Sequence, residues 1–298
     1  MGGRELKLNK KKLILTILII GIAWIYNVVI FMGSQTEKPL FFRQKSDISE
    51  DGIIDIEYLE KIQSEDRIVS IVFPELSTAE IKWGSWSEES KNNISYKSMR
   101  IYLSDVQRSC NLDISKIVED GDITITKMIY KTQSDKEEEV NLGEITISKK
   151  FVSEKKYKIL KQIGIESTTY SSYSSYSSGK NLYEAKDDLE IIAFEGENLE
   201  NINKLFNVYI NEEKLEQINL PVKVARNRPI EVYYEEKKWL NEKDFDVEQY
   251  NMQLKLKCSD PEGTIDYITT DLKIRICGSD KVMKSSFIKK LNDRLESN

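Results

Sequence analysis

Residues 250–277 read YNMQLKLKCSDPEGTIDYITTDLKIRIC, and this stretch decides the fold class. Met252, Leu254, Leu256 and Cys258 alternate with Gln253, Lys255 and Lys257. A period of two puts every second side chain on one face, the pattern of a half-buried strand. Asp260-Pro261-Glu262-Gly263 follows as a tight turn. The chain then returns from Thr264 through Leu272, Ile274 and Ile276. In such a hairpin Cys258 lies near Thr264, and Cys277 is far away on the opposite face. The spacing therefore favours free thiols over a Cys258–Cys277 disulfide, and the third cysteine, Cys110, has no obvious partner.

Working back from the hairpin, strand patterns recur over 188–194, 205–210, 221–225 and 229–234, with polar turns between them. Short strands at this spacing suggest an antiparallel sandwich. They define a second β-rich unit, 182–298. It ends in a helix near 281–296, where Val282, Phe287, Ile288, Leu291 and Leu295 share one face. Packing against the second unit is the expected role of that face, with docking of a partner as its rival.

Residues 167–180 read STTYSSYSSYSSGK, with Tyr170, Tyr173 and Tyr176 at a period of three. Serine and glycine at this density cannot build a core, so 167–181 is expected to be a linker or exposed loop. Its functional alternative is a tyrosine-rich binding strip, since Tyr and Ser make adaptable contacts.

A first β-rich unit precedes it, 51–166. Ile54, Tyr58, Leu59 and Ile62 fall at helical spacing, which predicts a short helix over 53–65. Residues 68–73 form a compact apolar strand, and residues 94–103 alternate with a register break near Ser98. Ile123, Ile125 and Ile129 follow Asp120-Gly121-Asp122. Residues 140–148 alternate again, after a charged hairpin tip at 135–139. Residues 33–50, with Pro39, Leu40, Phe41 and Phe42, are expected to form a stalk.

Ahead of the stalk, residues 13–32 run without a charge, and residues 1–12 carry Arg4, Lys7, Lys10, Lys11 and Lys12 against Glu5. Twenty helical residues span about 30 Å, the thickness of a bilayer's hydrocarbon core. A basic flank stays on the cytoplasmic side. The pattern predicts a cytoplasmic stub (1–12), a transmembrane helix (13–32) and an extracellular body on a single-pass cell-membrane protein. Trp24 and Tyr26 mark the lipid–water interface only loosely. A cleaved signal peptide is the rival, but its apolar core is usually shorter and ends at a small-x-small site. Here Gly33 and Ser34 follow bulky Phe31 and Met32. Asn27, polar within the run, is a candidate helix–helix contact.

The first twelve residues carry five basic groups and one acid, so in a chain of net charge −6 the remainder carries −10. An acidic body argues against nucleic acid, whose phosphates need a basic footprint. The chain has no histidine. That excludes Ser–His and Cys–His nucleophile pairs and leaves zinc only cysteines and carboxylates. Neither a phosphate-cradling G-x-x-x-x-G-K-[ST] nor a G-x-G-x-x-G is present. Asp120 with Asp122, Asp187 with Asp188, and Asp244 with Asp246 do not continue into a calcium loop, so solvated turns explain them better. Arg226-Asn227-Arg228-Pro229 is a basic island that reads as a turn. Trp83-Gly84-Ser85-Trp86 is the local feature with binding character: Trp83 and Trp86 either form an aromatic face or belong to a bulged strand.

The expected fold is thus mainly β: a transmembrane helix, then two antiparallel sandwich-like units and a C-terminal helix. The expected function is binding or assembly of a membrane or surface complex, with a protein partner in or at the membrane. No cofactor, metal or nucleic acid is implied. The alternatives are a surface hydrolase using two carboxylates or a ligand sensor.

Overall fold

The computed structural model describes residues 10–33, 36, 38–62, 66–76, 80–82, 86–91, 94–119, 121–149, 157–168, 178–196, 199–237, 247–275 and 285–296. The deciding stretch folds as its alternation requires. Strands β17 (Gln249–Ser259) and β18 (Ile265–Arg275) pair antiparallel, with Cys258 opposite Asp266 and Ser259 opposite Ile265. At the turn the Gly263 N–H donates to the Asp260 carbonyl at 3.0 Å, and the Thr264 N–H donates to Asp260 Oδ1 at 2.7 Å. Gly263 sits at φ +82°, where a side chain would be strained. Cys258 is buried and unbridged, and Cys277 lies outside the described residues.

The hairpin supplies one layer of a sandwich, extended by β12 (Leu189–Glu195) and β15 (Val222–Val224). The facing layer runs in the order β10 (Leu160–Thr168), β11 (Ser178–Ala185), β16 (Pro229–Glu236), β13 (Phe206–Ile210), β14 (Glu213–Lys214), antiparallel throughout. Tyr183, Ile191, Phe206, Val232, Met252 and Leu256 are among the buried side chains between the layers. Two boundaries are corrected here. Ile159 and Leu160 bury in this second core, so the unit begins before residue 160 and not near 182. The Ser/Tyr-rich stretch joins β10 to β11 within one sheet, Thr168 opposite Ser178, and does not link the units. Its low complexity gave no sign that the strand before it and the strand after it are partners.

The first unit packs the sheet β1 (Leu40–Phe41), β3 (Ile53–Lys61), β7 (Ile94–Tyr102), β6 (Trp86–Lys91) against a second layer. That layer is β2 (Gln44–Ser49), β9 (Glu137–Ser148), β8 (Ile123–Thr132), β4 (Ile68–Val72) and β5 (Ile81–Lys82). Helices α2 (Leu103–Cys110) and α3 (Ile114–Ile117) cover one end, burying Leu103, Val106 and Ile114. The helix expected over 53–65 is a strand. Ile54, Ile56 and Tyr58 face the core, and Leu59 is buried on the opposite face. A strand covered on both faces loses its period of two and imitates helical spacing. The break near Ser98 has the same origin. Met99 and Ile101 enter the core, whereas Ile94 and Tyr96 pack on the outer face. The expected stalk also belongs to the body, because residues 40–41 and 44–49 are β1 and β2, and Leu40, Phe41 and Phe42 are buried.

β2 fuses the two units. It runs parallel to β9 on one side and parallel to β17 on the other, with Gln44 opposite both Gly143 and Gln249. One sheet therefore passes through both sandwiches. Gly143, at φ +91°, allows the close approach: a Cβ there would lie 2.2 Å from the Gln44 carbonyl oxygen.

At the chain ends, α4 (Leu199–Leu205) belongs to the second unit. The C-terminal helix α5 (Ser285–Glu296) instead packs on the outer face of the first unit, not on the second as expected. Phe287, Ile288 and Leu291 cover Leu40, Phe42, Leu59 and Ile94, and Phe287 meets Phe42 edge-on with ring centroids 5.6 Å apart. α1 (Lys10–Gly33) contacts α5. Where its side chains are described, at 14–28, α1 exposes isoleucine, leucine, Trp24 and Tyr26 on every side. Among the described residues no helix is long and apolar enough to cross a membrane.

Candidate functional site

The most developed polar cluster lies where α5, β1 and β17 meet. Arg294 reaches back from α5 and grips both oxygens of Glu248, at 2.7 and 2.8 Å. Its second terminal nitrogen donates to the Phe41 carbonyl at 3.0 Å. The backbone N–H of Arg43 donates to Glu248 Oε2 at 2.9 Å, and the Glu248 N–H returns a bond to the Arg43 carbonyl. Glu248 is only 4% exposed. A buried carboxylate needs charged donors, and here one guanidinium nitrogen, Nη1, reaches both carboxylate oxygens while Nη2 is left for the Phe41 carbonyl.

A second ion pair crosses the seam between the units. Lys273 of β18 pairs with Asp55 of β3, and Arg100 of β7 approaches the same carboxylate at 3.4 Å. Beside it Gln44 Nε2 donates to the Asp55 carbonyl at 2.9 Å, and Ser46 Oγ donates to Gln44 Oε1 at 2.6 Å. These contacts align the units and anchor the strand that carries the chain out of α1. They are positioning contacts.

Other acids with side-chain partners include Glu60 and Glu88. Glu60 pairs with Lys97 inside the first sandwich. Ser95 Oγ donates to Glu88 at 2.5 Å. Burial, helped by Glu60 and Glu88, pushes the Tyr58 phenol above its usual range. Asp271 is exposed, yet partial loss of water around its carboxyl holds it above the usual carboxylate range. The groups acting against that shift are the Gln253 amide and Lys255, not a second acid. Among the described residues no three cysteines or carboxylates are grouped to hold a metal ion. Asp188 accepts the Arg226 N–H at 2.8 Å, and Asn227 has φ +61°, so the basic island is a turn tied to the neighbouring acid.

Of the expected binding residues, Trp83, Tyr170, Tyr173 and Tyr176 lie outside the described residues. Trp86 begins β6 opposite Met99, with its side chain outside them. Asn27 is exposed on α1. Asn27 is not among the contacts of the Arg294 cluster. That cluster had no sequence signal, because Glu248 and Arg294 are one acid and one base among many, 46 positions apart.

A different surface stands out on the second unit. β10 ends its sheet, with β11 as its one neighbour among the described residues. It carries Ile163 and Ile165, which are 47% and 64% exposed, more than any other large apolar side chain described outside α1.

No family model matches the chain, and no curated protein matches it. Solved structures similar to it include the fibronectin(III)-like modules of Clostridium thermocellum CbhA, at 10% identity over 80% of this chain and 93% of that one, with a TM-score of 0.19. Another is the N-terminal Ig1-2 module of the Drosophila receptor protein tyrosine phosphatase DLAR, at 10% identity over 80% and 98%, with a TM-score of 0.23. The chain is mainly β with sandwich-like sheets, and these neighbours are immunoglobulin- and fibronectin-like.

Proposed function

We propose that this protein is a membrane-anchored binding or assembly protein, with α1 in the lipid, the N-terminus cytoplasmic and the fused double sandwich outside the cell. The single observation that carries this reading is the contrast between α1 and the body. Over residues 14–28 α1 leaves its large apolar side chains uncovered on all sides, while the body buries apolar side chains in two cores. Apolar surface of that extent stays in water only at a large cost, about 25 cal/mol for each Å². The described part of α1 does not by itself amount to a membrane-crossing helix, but in the sequence the uncharged run 13–32 matches the hydrocarbon thickness, and lipid is the covering that suits the apolar surface of 14–28. The Arg294 cluster fits the same role, since it fastens the body to the strands that follow α1.

The buried acids are placed less well for a surface hydrolase. That reading needs two converging carboxylates, and Glu60, Glu248 and Asp55 each face a cation instead.

The test is alkaline carbonate extraction of native membranes combined with protease added to intact cells. An integral protein whose body is digested from outside supports the reading. Release by carbonate, or a body that resists protease until the cells are lysed, overturns it.

A further inference from the structure

We propose that the free edge of β10 binds an extended, acidic segment of a partner protein as an added strand. The edge position is one ground. β10 pairs with β11 from Leu160 opposite Ala185 to Thr168 opposite Ser178, and its other edge has no strand against it among the described residues. Backbone N–H and C=O groups along such an edge are a template for one more strand.

The side chains at this edge are a second ground. Ile163 falls at a bulge in the pairing, between Gln162 and Gly164, and Ile165 follows just after it. Natural edges are blunted by bulges and lysines. Here the bulge and Lys161 are both present and the Leu160 N–H already donates to Asp266 Oδ2 at 3.2 Å, but the two isoleucines stay exposed, so the edge from Ile163 onward offers apolar area.

Charge selects the occupant. β10 begins beside Lys158 and carries Lys161, in a body whose net charge is strongly negative. Lys158 and Lys161 are exposed and form no ion pair among the described residues. Two copies of this chain meeting edge to edge would place Lys158 and Lys161 from both on one seam, which disfavours self-pairing. An incoming strand rich in Asp or Glu would instead neutralise them and gain on-rate from steering. Alternate apolar residues on that strand would cover Ile163 and Ile165.

The experiment uses the full chain in detergent micelles. The probe is a fluorescein-labelled ten-residue peptide alternating Glu and Val, read by anisotropy. One control peptide replaces Glu with Lys, and another carries N-methyl groups on alternate residues, which removes strand pairing but keeps the charge. The Glu–Val peptide is expected to bind and to protect the β10 amides from hydrogen exchange. Both control peptides, and a Lys158→Glu/Lys161→Glu variant, are expected to weaken binding at least tenfold. An Ile165→Asp variant checks the apolar part, with a similar loss expected and an unchanged melting profile showing that it is folded. Absence of binding overturns the proposal. So does equal binding of the N-methylated peptide, because plain charge attraction would then explain it. Concentration-dependent dimers that protect β10 without peptide would overturn it in favour of a second copy.

Discussion

Arg294 and Phe41 are 253 residues apart in the chain, yet one terminal nitrogen of the Arg294 guanidinium donates to the Phe41 carbonyl at 3.0 Å while the other holds both oxygens of Glu248. The last helix of the protein is thereby fastened to the first strand after α1. The apolar contacts of Phe287, Ile288 and Leu291 lie in the adjoining cluster with Leu40 and Phe42, so polar and apolar parts of the latch reinforce each other.

Breaking this latch from one side leaves a buried charge without its partner. Arg294→Ala is expected to destabilise the protein by about 3–5 kcal/mol, because Glu248 stays buried and uncompensated. Arg294→Lys should rescue it poorly, since one ammonium nitrogen cannot hold the Glu248 carboxylate and the Phe41 carbonyl together as the two guanidinium nitrogens do. Arg294→Met combined with Glu248→Met should recover much of the loss. Thermal melting of the full chain in detergent reads all three. Equal melting of Arg294→Ala and the parent would show that the latch contributes nothing.

Gly143 is expected to tolerate no side chain. Gly143→Ala would push a Cβ against the Gln44 carbonyl oxygen at 2.2 Å and hold an alanine at φ +91°. The expected cost is more than about 1 kcal/mol. It should appear as faster hydrogen exchange along β2 and β9, whose parallel pairing would have to open. Gly164→Ala is the control, as its nearest neighbours there are ordinary contacts with Leu182 at 3.6 Å.

Cys258 is expected to be inert in the folded protein. Burial, with Asp266 nearby, pushes its thiol up to about 12, so almost no thiolate exists at neutral pH. Maleimide labelling at pH 7.5 followed by peptide mass mapping should find Cys258 unmodified until denaturant is added. Labelling of Cys258 in the native protein would show that the second core opens readily.

The tip of the β8–β9 hairpin should respond to acid. Asp66 accepts the Ser134 hydroxyl at 2.6 Å and the Ser134 N–H at 2.8 Å, with Lys136 at 3.7 Å. The Ser134 hydroxyl and then its backbone N–H hold the carboxyl below its ordinary value of 3.8. Because the folded value is depressed, the stabilising contribution is complete above the ordinary value and is lost as pH falls through the folded one. Exchange at the Ser134 amide should therefore quicken as pH falls below about 4, beyond its intrinsic pH dependence. Asp66→Asn should flatten that response, and an unchanged response in the variant would exclude Asp66 as its source.

Period-two alternation made most of the second unit legible. The 250–277 hairpin, its turn and the strands at 188–194, 205–210 and 229–234 were marked because each has one buried and one solvated face. The first unit was harder, since α5 covers the outer face of β3 and β7 and removes the alternation there. The short helices α2 and α3 went unmarked, as few apolar residues hold them in place. Of the candidate binding residues, the exposed pair Ile163 and Ile165 was invisible in sequence, because an edge strand and a central strand share the same alternation.

By itself the sequence determined the apolar run 13–32, the acidic balance, the lack of any histidine and the mainly β character, all of which are local or additive properties of the chain. Tertiary structure alone decided which strands are neighbours. It set β10 beside β11 across the Ser/Tyr-rich stretch, threaded β2 between β9 and β17, and returned α5 to the first unit. Those choices depend on which buried faces fit together over long separations, and residue patterns of period two or 3.6 carry no record of that fit.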